Sequence, residues 1–229
     1  MEKRRETGFF PVLINLQNFP CLVVGGGAIA GRKVLSLLEF NANVTVISPR
    51  VSGLLRKLSE KRSIKLINKS YSKEFISRFK IVFCATNNPT INKTVYNDCV
   101  SKGILINVAD NPSLCDFILP ANIKRGDLTI SISSQGKAPF FTGYMKRKLE
   151  RFIPPVYKDI MGLAGEFRKF LLSKISGAAG KISKIQSTKM KTKMFKEFTS
   201  KDWENILTEN GKRNSEYYFK KILKESNLF

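Results

Sequence analysis

The sequence predicts an α/β protein: a parallel sheet with helices on both faces, then a small β segment, then a helical C-terminal region. Three observations carry this. Residues 20–108 alternate short β-rich apolar runs with helical patterns. A glycine-rich turn, residues 25–31, separates the first apolar run from the first helical pattern. After Asp110 the alternation stops, and a strand of period two takes its place. Near-continuous apolar strands spaced by helices imply a sheet buried on both faces.

The elements follow in order. Cys21–Val24 is a short apolar strand running into glycines. Residues 27–40 read as a helix, with Ile29, Lys33, Leu37 and Phe40 spaced along one face. Next come the strand Asn43–Ser48, a polar helix around Leu54–Leu58 and the strand Ser63–Asn68. A short helix near Lys73–Arg78 precedes the strand Ile81–Thr86. Pro89 opens a helix to Ser101, since its missing N–H costs nothing in a first turn. Ile104–Ala109 closes the series as the fifth strand.

Beyond it, Asp116–Pro120 and Asp127–Ser134 read as strands joined by a turn at Arg125–Gly126. The second puts Leu128, Ile130 and Ile132 on one face, as a half-buried or interface strand does. A helix is expected from Pro139 to Phe152, ending before Pro154–Pro155. An apolar stripe of Ile160, Leu163, Phe167, Phe170 and Leu171 marks another. Residues 174–196 hold seven lysines, no acid, and Gly177 and Gly180. They read as a flexible basic linker or a basic helix. A last amphipathic piece carries Trp203, Ile206, Leu207, Tyr217, Phe219 and Leu223.

Composition narrows the chemistry. The 229 residues are 42% hydrophobic, enough for a sizeable core. No stretch approaches the roughly 18 apolar residues of a membrane span. The segment MEKRRETGFFPVL has neither a long apolar region nor a small-residue cleavage site, so no signal peptide or anchor is expected. A cytoplasmic location without membrane attachment is the expectation. Histidine is absent, which excludes Ser-His-Asp and Cys-His hydrolases and mixed Cys/His zinc sites. Proton transfer must use carboxylates, Lys, Tyr, Cys or water. Cys21, Cys84, Cys99 and Cys115 form no C-x-x-C pair, so reduced structural thiols are expected and no metal site. The net charge of +22 suits an acidic partner or a solvated lysine-rich surface.

The turn Gly25-Gly26-Gly27-Ala28-Ile29-Ala30-Gly31 matches G-x-G-x-x-A at Gly25, Gly27 and Ala30. Gly25 permits the tight turn, Gly27 lets backbone approach a pyrophosphate, and Ala30 allows close helix–strand packing. The N–H groups of the following helix, from Ala28 and Ile29 on, then face the phosphates. Strand before and helix after give this short motif its required context, a Rossmann-type dinucleotide site. The usual acidic residue at the end of the second strand is missing. Ser48, Pro49 and Arg50 stand there. Ser48 can make one ribose hydrogen bond, and Arg50 suits a 2′-phosphate, so chemistry alone leaves NAD and NADP open and leans to NADP.

Several segments together resemble the precorrin-2 dehydrogenase / sirohydrochlorin ferrochelatase family, the N-terminal module of siroheme synthase. They are FPVLINL, VVGGGAIAGRK, FCATNNPTIN, NVADNPSLCDFILPA and DLTISISSQGKAP, in order over roughly residues 9–153. The resemblance implies NAD-dependent oxidation of precorrin-2 to sirohydrochlorin, with ferrous iron insertion as a second activity of many members. It implies NAD as cofactor, tetrapyrrole substrates and a homodimer. The expected layout is a Rossmann-type parallel sheet (residues 1–113), a small β dimerisation segment (114–150) and a C-terminal helical region with a basic linker (151–229).

Asp110, in the stretch Asn107–Pro112, carries over as the family's catalytic aspartate. It also lies just past the fifth strand, where doubly wound sheets bind ligands. In a chain without histidine a carboxylate is the natural proton acceptor. Asp116 is the nearby alternative. Ser134 matches the serine of the family's substrate cleft, and Lys137 is a cation for a carboxylate-rich substrate, as are Lys124, Arg125, Lys146 and Arg147. Thr86, Asn87 and Asn88 follow the fourth strand, placed for the nicotinamide ribose or for capping the loop. A competing reading is a nucleotide-sensing or nucleic-acid-binding protein using its basic C-terminal region. No recognition motif or interleaved aromatics favour it, so nucleic acid is not expected.

Overall fold

The computed structural model describes residues 8–177, 183–210 and 215–225. Residues 1–7 of the leader reading, and residues 178–182 of the linker reading with Gly180, lie outside them. The chain forms two compact units. One runs to Leu119 and takes in Gln135–Lys137; the other holds Pro120–Ser134 and the chain from Ala138 onward.

The first unit is a five-stranded parallel sheet. Its strands are β1 (Pro20–Val24), β2 (Asn43–Ile47), β3 (Lys65–Ile67), β4 (Ile81–Cys84) and β5 (Leu105–Val108), in the order β3-β2-β1-β4-β5. Val24 aligns with Ile47 on one side and Cys84 on the other, and Cys84 aligns with Val108. The strands therefore end at one edge. β1 and β4 are neighbours although β2 and β3 intervene in sequence, so the order reverses at β1. Such a switch point opens a crevice outside the carboxyl ends.

β1, β2, β4 and β5 are mostly apolar because both faces are covered, while the edge strand β3 is only half-buried, with Lys65 exposed. α1 (Ala28–Leu38) and α2 (Gly53–Glu60) cover a core of Cys21, Val23, Val34, Val44, Val46, Leu55 and Phe83. α3 (Pro89–Ser101) and a 3-10 turn (Lys73–Arg78) cover Leu22, Ile76, Val82, Cys84, Val95, Cys99 and Ile106 on the other face. The helix expected at Lys73–Arg78 is thus a 3-10 turn. Asn88 caps α3, its Oδ1 accepting from Ile91 N at 3.1 Å, with Pro89 in the first turn. The fully buried thiols behave as small hydrophobes: burial pushes Cys21 up to about 11, and Cys84 and Cys99 up to about 12.

The second unit opens with an antiparallel hairpin, β6 (Ala121–Arg125) and β7 (Leu128–Ile132), pairing Ala121 with Ile132 and Arg125 with Leu128. This corrects two expectations. The strand expected at Asp116–Pro120 starts at Ala121 instead, and the turn centres on Gly126 (φ +60°) and Asp127. Asp116 is tied back to β5, its N–H donating to Ile106 O at 2.8 Å and its Oδ2 accepting from Ile106 N at 3.1 Å. Phe117 packs edge-on against Phe83 at 5.4 Å. The apolar run is a plug on the first unit, and Pro120, with no N–H to donate, precedes the hairpin.

α4 (Pro139–Phe152) ends as expected before Pro154, and Arg125 Nε donates to Ile153 O at 2.9 Å. α5 (Tyr157–Gly177), α6 (Lys184–Thr199), α7 (Trp203–Asn210) and α8 (Ser215–Glu225) form a helical core. Leu163, Phe167, Leu171 and Ile175 recur at helical spacing along α5. They meet Met194, Phe198, Trp203, Phe219 and Ile222. Phe167 stacks on Phe198 at 4.9 Å, Phe198 on Trp203 at 4.5 Å, and the Trp203 indole donates to Phe198 O at 2.7 Å.

Of the two readings of the lysine-rich run, residues 184–196 take the helical one. Ser183 and Gln186 form a reciprocal capping box at the start of α6. Met194 and Phe198 then anchor it in the core, with Lys189, Lys193 and Lys196 exposed.

Candidate active site

Gly25, directly after β1, has φ +124°, and a Cβ there would stand 2.3 Å from Ala85 O. A Cβ on Gly26 would stand 1.9 Å from Arg50 O. Both glycines are required by the fold. Gly27 is different: a Cβ there would meet no protein atom within 4 Å, and its φ of −83° is open to any residue. Its Cα faces open space at the N-terminus of α1, which has no acidic residue in its first turn and no side-chain cap. Free N–H groups and a positive helix end facing open space suit a diphosphate. Ala28 is exposed beside it, Ile29 half-buried, and Ala30 fully buried against the sheet.

At the end of β2, Ser48 is buried and its Oγ donates to Arg50 O at 2.6 Å. That bond turns the chain, leaving Pro49 and Arg50 exposed. Ser52 N donates to Gly26 O at 2.8 Å, bracing this turn on the glycine loop. Beside it is a recess of about 500 Å³ lined by Pro49, Arg50, Val51, Arg56, Leu66 and Asn68.

At the end of β4, Thr86 serves the protein. Its Oγ1 donates to Asn92 Oδ1 at 2.5 Å and accepts from Asn88 N at 3.2 Å. Asn88 is spent on capping α3. Asn87 between them is exposed, with no side-chain hydrogen bond among the described residues.

At the end of β5, Asp110 adopts φ +60°, a left-handed conformation that aspartate tolerates better than most residues. It is exposed, and its carboxylate takes no hydrogen bond among the described residues. Its turn is pinned from below by Cys115, whose Sγ accepts from Val108 N at 3.2 Å and lies 3.3 Å from both Val108 O and Asn111 O. Asp116, the alternative carboxylate, is committed to β5. Lys33 of α1 is half-buried, its Nζ 5.8 Å from the Phe83 ring centroid. Burial pushes its pKa down, while Cys115 and Asp110 oppose that by favouring its charge. Lys33 and Asp110 are thus within electrostatic reach of each other.

Adjacent parallel strands lie about 4.8 Å apart, so the ends of β1 and β5, two strands apart, are roughly 10 Å from each other. The glycine turn, the Thr86–Asn87 corner and Asp110 share one edge of one sheet.

The remaining expected residues are placed as follows. Ser134, in the second unit, is half-buried, and its Oγ accepts from Ala138 N at 2.9 Å ahead of α4. Lys137 is exposed. Gln135 of the same turn holds the start of the described chain, its Oε1 accepting from Phe9 N at 2.5 Å. Lys146 pairs with Glu150 at 3.9 Å. Sequence reasoning did not single out Lys33, Arg56 or Cys115 for the site. The signal for Lys33 was a lysine inside an otherwise apolar helix stripe.

The profile of the family described as "Putative NAD(P)-binding" matches residues 12–121. The siroheme synthase of Psychrobacter sp. (strain PRwf-1) is 38% identical over 172 residues, 75% of this chain and 35% of that protein. The siroheme synthase of Vesicomyosocius okutanii is 38% identical over 168 residues, 73% of this chain and 36% of that protein. The chain spans about a third of the length of these curated relatives. Among solved structures, SirC, a precorrin-2 dehydrogenase, superposes with a TM-score of 0.68 at 23% identity, over 96% of this chain and 100% of that one. That likeness establishes the fold. The NAD(P)-binding profile, the similarity to siroheme synthases over about a third of their length and the shared fold all agree with the family that the motifs resemble, the precorrin-2 dehydrogenase / sirohydrochlorin ferrochelatase family.

Proposed function

We propose that the chain oxidises precorrin-2 to sirohydrochlorin, with NAD as the hydride acceptor. The observation that carries this is Asp110: an exposed carboxylate without an internal hydrogen bond, on the same sheet edge as the glycine cradle. The open space at Gly27 and the uncapped α1 N-terminus fit a pyrophosphate. Asn87 is free to meet the nicotinamide ribose.

The cofactor, when bound, supplies a hydride acceptor. The chain's residues do the rest. The backbone of Gly25–Ala30 holds the phosphates at α1. Asp110 takes the proton that must leave as the macrocycle loses a hydride. Lys33 keeps a positive charge near that carboxylate. Lys137 and the other cations draw in a polycarboxylate substrate, and the Ser134 hydroxyl offers it a hydrogen bond. Ferrous iron, as second substrate, would displace two pyrrole protons, and the same carboxylate would accept a proton in that step.

A homodimer through residues 114–150 is part of this reading. Phe140, Phe141 and Tyr144 support it: 80%, 51% and 49% exposed on α4, they are apolar surface in want of a cover. The reading places the protein in the cytoplasm; among the described residues no helix is long and apolar enough to cross a membrane.

The test is incubation with enzymatically made precorrin-2 and NAD, then Fe²⁺, followed by absorbance. The sirohydrochlorin spectrum should develop with NAD present and not without it.

A further inference from the structure

We infer that Lys33 and Asn107 form a buried hydrogen-bonded pair beneath the Asp110 turn, and that this pair positions the carboxylate. The positioning role rests on the reaction proposed above; the pair itself does not. Along β5, Ile106 and Val108 face the α3 side of the sheet, so Asn107 between them faces the α1 side, in register with Phe83 of β4. The core there is built from apolar side chains, Val23, Phe83, Ala109 and Phe117 among them. Asn107 is 6% exposed. Its Nδ2 donates to Phe117 O at 3.0 Å and lies 3.6 Å from Cys115 Sγ. Its Oδ1 is buried and takes no hydrogen bond among the described residues. A buried acceptor left without a donor costs stability, and folded chains rarely keep one.

The same layer holds a donor in want of an acceptor. Lys33 stands in the second turn of α1, half-buried, and its Nζ lies 5.8 Å from the centroid of the Phe83 ring. It makes no hydrogen bond or ion pair among the described residues. Helical side chains lean back toward the helix N-terminus, which for Lys33 is the sheet edge that carries Asp110. The charges of Cys115 and Asp110 both bear on it. An ammonium and an amide oxygen thus flank one aromatic ring, on strands about 4.8 Å apart. The lysine stem is flexible, and rotation about its last bonds carries Nζ from the ring to Oδ1. That exchanges a cation–π contact for a charge-assisted hydrogen bond.

The pair acts on Asp110 through the amide. With Oδ1 held by Lys33, the amide cannot flip, and Nδ2 stays on Phe117 O and beside Cys115. Cys115 Sγ in turn accepts from Val108 N and lies 3.3 Å from Asn111 O, on either side of Asp110. Lys33 is therefore the far end of the brace under the left-handed turn at Asp110, and it ties that turn to α1, whose N-terminus faces the proposed pyrophosphate position. Proton acceptor and hydride acceptor are held in one frame, and small misplacements between reacting groups are costly in rate.

A double-mutant cycle on the full chain tests this. Lys33→Met and Asn107→Val should each lower kcat for precorrin-2 oxidation about tenfold, with KM and NAD affinity within about twofold of the parent. The double variant should be no slower than the slower single one, and Lys33→Arg, which keeps a cationic donor, should recover most of the loss. The same cycle in urea unfolding reads the pair without turnover. The effect of Lys33→Met on the unfolding equilibrium constant should differ at least about threefold between the parent and the Asn107→Val background. An effect equal in both backgrounds, or losses of kcat that multiply in the double variant, overturns the pair. If Asn107→Val does not fold, the two Lys33 variants decide: recovery by arginine supports the pair, and equal rates overturn it. Single variants as fast as the parent, with the unfolding effects still coupled, overturn the positioning role and leave the pair. A folded, NAD-binding parent that leaves precorrin-2 unoxidised overturns the proposed reaction and the positioning role with it, and the unfolding cycle still decides the pair.

Discussion

In the proposed dinucleotide site, Gly27 separates ligand binding from folding at a single residue. Gly25 and Gly26 cannot accept a side chain without striking backbone oxygens, so their replacement unfolds the loop. A Cβ at Gly27 meets no protein atom within 4 Å, and aspartate is a good helix N-cap. The variant should melt no lower than the parent, yet lose NAD affinity by roughly 100-fold or more, about 2.7 kcal/mol, because a fixed carboxylate occupies the pyrophosphate position. Near-normal affinity measured by calorimetry would move the phosphates elsewhere. Cys115 works the other way. It is 3% exposed and holds Val108 N and the turn that carries Asp110. Cys115→Ala should cost about 1–3 kcal/mol in urea unfolding and slow the oxidation with NAD affinity largely kept; unchanged turnover would free Asp110 from dependence on that pin. These two residues also differ in legibility. Gly27 was readable because the motif's spacing fixes its place between strand and helix. Cys115 was not, because its partners are backbone atoms brought to it only by the fold.

At the scale of elements, the five strands were legible because a strand buried on both faces must be apolar throughout, and a glycine turn or helix separates each from the next. The hairpin was misread by one strand. Phe117, Ile118 and Leu119 look like strand residues, yet the Asp116 carboxylate and the Phe117 ring are used against β5 and Phe83, contacts between distant segments that no local pattern records. The lysine-rich run left a linker and a helix open for a related reason. Its lysines hide an apolar face of Met190, Met194, Phe195 and Phe198 that acquires meaning only against α5 and Trp203. The capping box then fixes the start of α6. Ser183→Ala should destabilise that helix by about 1 kcal/mol, read as a lower melting temperature with dinucleotide affinity untouched. A loss of NAD binding of the same size would mean that the helical region bears on the nucleotide site directly.

At the scale of the whole molecule, the chain's alkaline behaviour follows from its thiols. In the folded state burial raises Cys21, Cys84 and Cys99 to about 11, 12 and 12 from an ordinary value near 9. The unfolded chain therefore releases these protons first. The stability they contribute is whole below about pH 9 and is lost as pH climbs toward 12. Tyr71, raised by burial and by its hydrogen bond to Asp98, acts in the same direction; Lys33, lowered by burial, acts against them. Urea midpoints should hold from pH 7 to 8 and fall between pH 9 and 10.5, and thiol reagents should label the native chain slowly. A midpoint that rises through that window would contradict the buried-thiol core.

In the proposed reaction one carboxylate at the end of β5 accepts the proton while a dinucleotide cradled at the end of β1 accepts the hydride. The most direct measurement is the rate of precorrin-2 oxidation with NAD, followed by absorbance, for the parent chain and for Asp110→Asn. The asparagine keeps the size of the side chain and removes its basicity. The parent should give sirohydrochlorin, and Asp110→Asn should be slower by on the order of 10²–10⁴, with NAD affinity nearly unchanged. An Asp110→Asn chain as fast as the parent, or a folded, NAD-binding parent that leaves precorrin-2 unoxidised, would contradict it.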